Sequence, residues 1–78
     1  MRYNIGDKVR IKSIDWYEAN KDRNGRVCLD GDVFLPQMAK LCGQVVVIDK
    51  VYPNKKAYTI KGHYAFWLED MIDGYAEN

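Results

Sequence analysis

Two stretches of this chain alternate with the period of a β-strand, and they lie far apart. "DKVRIK", from Asp7 to Lys12, puts Val9 and Ile11 on one side and Lys8, Arg10 and Lys12 on the other, the pattern of a half-buried strand. The next such stretch, "GQVVVIDKVY", begins only at Gly43 and is dense in β-branched residues. A lone strand leaves its backbone N–H and C=O groups unpaired. This spacing leaves open what the first strand pairs with and what residues 13–43 contribute.

That excursion changes period. In "SIDWYEANKDRNG", Asp15 is placed to cap a helix, with Glu18 as the acid of a capping box and Ile14 set to staple against Ala19. A short helix from Trp16 to about Asp22, stopped by Asn24-Gly25, is predicted. "RVCLDGDVFL" has an Asp30-Gly31 turn between apolar flanks and suits either a small hairpin or an irregular packed loop. "PQMAKLCG" carries Pro36 at a helix start and Gly43 past its end, with Met38, Leu41 and Cys42 on one face, predicting about two helical turns.

The β pattern then resumes. "QVVVIDKVY" and "AYTIKG" flank the turn "PNKK" and predict a hairpin, with Tyr58 and Ile60 inward. A further strand runs from Tyr64 to about Leu68, followed by a tight turn at Glu69-Asp70, a short strand or 3₁₀ segment at Met71-Ile72, and a loose tail over 74–78. Seventy-eight residues make one domain, spanning 1–78, because a chain this short buries only roughly 60–65% of its unfolded surface. About five short strands leave exposed edges unless the sheet curls, so a mainly β, partly open barrel is expected, with one or two short helices inserted after strand one.

Composition narrows the setting. The chain is 47% hydrophobic, with twelve basic and eleven acidic residues and a net charge of +1. No signal-peptide pattern opens it, and its longest apolar run, Val45 to Ile48, is far short of a membrane span. A cytoplasmic protein without a membrane partner is expected, with Cys28 and Cys42 as thiols.

"IGDKVRIKS", "CGQVVVIDKV" and "YAFWLEDMI" resemble the first strand, second strand and closing strand-plus-turn of small uncharacterised SH3-like barrel proteins of bacteria and phages. The resemblance spans nearly the whole chain and rests on structural motifs, a Gly-led start to each strand and a Trp-led exit. It implies that strand one pairs with the closing segment and lies beside the second strand. Residues 13–43 then become an enlarged loop bordering a ligand groove or a lid completing the core. The chain lacks the Ala-Leu-Tyr-Asp-Tyr-like run and the Trp-Trp pair of peptide-binding SH3 domains, so proline-rich ligands are not implied.

Trp16, Tyr17, Tyr52, Tyr64 and Trp67 are the candidate groove residues, since an aromatic shelf between the long loop and the later strands suits a protein or peptide ligand. The competing role for the same rings is to fill a small core. Lys8, Arg10, Lys12, Lys50, Lys55 and Lys56 form the alternative, a basic face for nucleic acid, set against a sequence pI of 7.7 that is low for such a domain. Catalysis and cofactors are not expected. Cys28, Cys42 and His63 lack metal-ligand spacing, Cys42 falls on a buried helix face away from nucleophilic use, Asp30-Gly31-Asp32 reads as a turn, and Glu69 and Asp70 point to opposite faces of a strand. Together these features favour a small non-catalytic SH3-like module for protein–protein interaction, with nucleic-acid binding second. The oligomeric state is left open by the sequence.

Overall fold

In the computed structural model, which describes residues 1–76, β1 (Lys8–Ile11) lies between two strands distant in sequence. On one side it pairs antiparallel with β4 (Val45–Tyr52), Lys8 opposite Val47 and Arg10 opposite Val45. On the other it pairs with β7 (Ile72–Tyr75), Val9 opposite Tyr75 and Arg10 opposite Gly74, before a register shift brings Ile11 opposite Ile72. Val9 and Ile11 are fully buried while Lys8 and Arg10 are exposed, so the alternation read from the sequence is the burial pattern of the strand. β5 (Ala57–Ile60) and β6 (His63–Leu68) continue from β4 as a meander, giving one five-stranded sheet in the order β6–β5–β4–β1–β7. Among the described residues no ladder joins β6 to β7. The sheet is therefore not a closed barrel.

Residues 13–43 differ in detail from the expectation. The helix α1 spans Ile14–Asn20, capped by Ser13, whose Oγ accepts the Trp16 N–H at 3.2 Å. Ser13 lies in the extended region that a cap needs, so Asp15 falls inside the first turn and Ile14 starts the helix rather than stapling it. Beyond Asn20 the chain turns through Asp22, whose Oδ1 accepts the N–H groups of Asn24 and Arg26 at 2.8 and 3.0 Å. The undecided segment after it is a hairpin, β2 (Val27–Leu29) with β3 (Asp32–Phe34), closed by Asp30-Gly31 and raising the strand total to seven. Pro36–Leu41 is a 3₁₀ helix rather than two α-turns. So short a segment cannot sustain α-helix on its own, and burial of Met38 sets its geometry. Residues 74–76 of the expected loose tail are tied to the sheet: Gly74 and Tyr75 pair in β7, and the Ala76 N–H donates to the Lys8 carbonyl at 3.0 Å. Residues 77 and 78 of that tail lie outside the described residues.

The insertion shares the core of the sheet. Phe34, at the end of β3, is fully buried, with ring centroids 5.2 Å from Trp16, 5.7 Å from Tyr17 and 5.8 Å from Trp67. Its ring links α1, the hairpin and β6. Tyr3, in a segment with no strand signal, is equally buried and packs edge-on against Tyr58 and Tyr75.

Two stability predictions follow from these contacts. Phe34→Ala removes the joint between insertion and sheet and is expected to cost about 3–5 kcal/mol, a large share of the roughly 4–12 kcal/mol available to a chain of this length; urea unfolding measures it. Gly25 has φ +79°, its carbonyl accepts from the Tyr17 hydroxyl at 2.6 Å, and an added Cβ would lie 3.1 Å from that hydroxyl and 3.2 Å from Pro36. Gly31 has φ +101° with open space around it. Both alanine variants bear the left-handed strain of about 1–2 kcal/mol, and Gly25→Ala is expected to unfold at lower urea because it adds the contact.

Candidate functional site

The five aromatic candidates divide between core and surface. Tyr17 is 7% exposed and Trp67 1% exposed, and both are held against Phe34. Their rings are therefore packing, as is the face of Trp16 turned to Phe34. Tyr64 is fully exposed. Tyr52 is half-buried and meets Phe66 edge-on at 5.3 Å, with the Lys55 ammonium 5.2 Å from the centre of the Phe66 ring.

Tyr64 and Phe66 alternate with Trp67 and lie on the outer face of β6, in a stretch that also carries a bulge. In the β5–β6 ladder Ile60 faces His63 and Tyr58 faces Trp67, so Thr59 alone stands opposite Tyr64, Ala65 and Phe66. A bulge of this kind breaks the ladder and re-aims side chains. These three residues lie on an outer edge strand and have no ladder partner. They form a ridge with a hollow on either side.

The first hollow, about 440 Å³, lies between β6 and the insertion and is bordered by Leu35, Met38, Leu41, Tyr64, Ala65 and Phe66, with Asp32, Lys40 and Trp67 also on its wall. The second, about 390 Å³, lies toward β4 and β5 and is bordered by Asp49, Lys50, Tyr52 and Thr59 together with the same ridge. Trp67 Nε1 and Thr59 Oγ1 are enclosed and have no hydrogen-bond partner among the described residues. Met38 and Leu41 read in the sequence, with Cys42, as one face of a short helix, and Leu35 as a flank of the Asp30-Gly31 turn. Only the third dimension reveals that Leu35, Met38 and Leu41 border a hollow.

The basic candidates fall on separate elements. Lys8, Arg10 and Lys12 follow β1, but Arg10 Nη1 donates to the Gly43 carbonyl at 2.7 Å and Lys12 lies 3.9 Å from Asp73. Lys50 is on β4, while Lys55 and Lys56 occupy the turn to β5, where Lys56 adopts a left-handed conformation.

The remaining reactive side chains do not assemble. Among the described residues no three His, Cys, Asp or Glu gather around a possible metal position. Cys28 is exposed and Cys42 half-buried, both free, and burial pushes the Cys42 thiol up, away from the thiolate. Asp30-Gly31 is the hairpin turn. Glu69 is a structural anchor: Oε1 accepts the Arg2 N–H at 2.9 Å and the Tyr58 hydroxyl at 2.8 Å, and the Tyr58 oxygen in turn accepts the Tyr3 N–H at 3.1 Å. The Arg2 N–H bond, followed by the Tyr58 bond, holds the Glu69 carboxyl below its ordinary range, while burial raises the Tyr58 and Tyr3 hydroxyls.

Comparison with protein-family models, with curated proteins and with solved structures gives no match.

A depressed carboxyl favours the folded state fully above its unfolded pKa, near 4.3, and loses that contribution as pH falls toward the folded value. Glu69→Gln is therefore expected to lower stability at pH 7 by about 1 kcal/mol. It is also expected to flatten the decline between about pH 5 and pH 3. Thermal melts of both proteins across that window check the sign, and parallel curves would refute the assignment.

Proposed function

We propose that this protein is a non-catalytic binding module of SH3-like architecture that holds a segment of another protein against the β6 ridge. The strand order supports the architecture: a β4–β5–β6 meander, β1 beside β4, and a 3₁₀ turn at Glu69–Met71 leading into a last strand beside β1, the arrangement implied by the sequence resemblance. Strand order alone selects no ligand. The observation that carries the function is the first hollow, whose apolar wall of Leu35, Met38 and Leu41 faces an exposed tyrosine across an unpaired strand edge. Its volume lies in the range of sites that take a few side chains, and an aromatic at the rim is the commonest kind of binding anchor. Two of the β1 cations are engaged within the chain, which favours a protein ligand over nucleic acid.

The test is selection from a random peptide library displayed on phage, followed by affinity measurement on synthetic copies. Tyr64→Ala, on a fully exposed side chain, is expected to weaken binding at least about tenfold, and Leu41→Glu to abolish it, with melting curves confirming that both variants fold. Lys8→Gln is expected to leave affinity unchanged. Failure to enrich any peptide, together with binding of a single-stranded oligonucleotide that falls steeply with salt, would reverse the reading in favour of nucleic acid.

A further inference from the structure

Resting on the reading of the ridge as a protein-binding site, we propose that its partner is an acidic segment that straddles Tyr64, with an apolar side chain in the first hollow and a carboxylate over the second. The two hollows share His63, Tyr64, Ala65 and Phe66, so one extended segment crossing the ridge reaches both. β6 ends the sheet, so its outer edge has no neighbouring strand among the described residues, and such an edge accepts the main chain of an extended segment.

Charge sets the chemistry of the second contact. Lys40 borders the first hollow, Lys50 the second, and Lys55 stands over Phe66 on the ridge. Among the described residues the ion pairs use Lys12, Lys21 and Arg26, so none of these three lysines has a carboxylate within ion-pair distance. The local acids are Asp32 and Asp49, neither in an ion pair among the described residues, which leaves three lysines against two carboxylates around the ridge. A site with unpaired cations on both sides of an apolar anchor is complementary to an apolar residue flanked by Asp or Glu.

Library-selected peptides decide the matter. They are expected to carry Asp or Glu within a few residues of a large apolar side chain, and replacing that acid by its amide is expected to weaken binding at least tenfold. Lys50→Glu combined with Lys55→Glu should produce a similar loss, restored when the peptide acid is changed to lysine. Selected peptides lacking an acid, or a charge swap that restores nothing, would overturn the acidic partner. If Tyr64→Ala and Leu41→Glu still abolished binding in that case, the hollow itself would stand as a peptide site. Sedimentation showing a dimer that Tyr64→Ala dissolves would make the occupant a second copy and overturn the proposal, and binding only of an oligonucleotide would overturn both readings.

Discussion

The contact on which the rest depends is the ring of Phe34 against Trp67. An open five-stranded sheet cannot enclose a core alone, and here the excursion after β1 supplies the missing wall. Phe34 reaches Trp67 from the hairpin and meets Trp16 and Tyr17 from the helix. Each such aromatic pair adds about 0.5–1.5 kcal/mol beyond simple burial. Without them the insertion would be a long loop whose ordering entropy nothing offset.

The sheet was legible in the sequence because its signal is local. Val9 and Ile11 alternate with cations, Val46 and Ile48 sit in a β-branched run, and all four face inward. The pairing of β1 with both β4 and β7 is the arrangement that the resemblance to SH3-like barrel proteins implied. The insertion was less legible for a physical reason. Ser13 and Asp15 both offer side-chain oxygens that suit an N-cap, and it is Ser13, in extended conformation, that accepts the Trp16 N–H. Pro36 at a helix start marks Pro36–Leu41 as helical without distinguishing a 3₁₀ from an α turn. Tyr3 had no periodic neighbours to reveal it, and its burial depends on Tyr58, Tyr75 and the Glu69 anchor from the far end of the chain.

The candidate site shows where sequence reading stops. Aromatic residue type marks both core and groove, and exposure alone separates Trp67 from Tyr64 on one strand. The two stand three residues apart, an odd step that places them on opposite faces of a strand, but residue type does not say which face is the core. The two residues of extra length in β6 between the pairs Ile60–His63 and Tyr58–Trp67 have no residue signature either, since "HYAFWL" contains neither glycine nor proline.

The two edges of the sheet are built differently, and the difference bears on function. β7 is four residues long, carries Asp73 and Gly74, and meets β1 through a register shift, features that discourage further pairing. β6 is longer, carries aromatics, and has cations beside its edge rather than within it. Its bulge interrupts a regular edge enough to hinder indiscriminate stacking while leaving Tyr64–Phe66 accessible. The floor beneath that ridge includes Trp67 and Met38, which also hold the core. A ligand would therefore meet a surface whose shape is already fixed by folding, and such preorganisation reduces the ordering cost of binding.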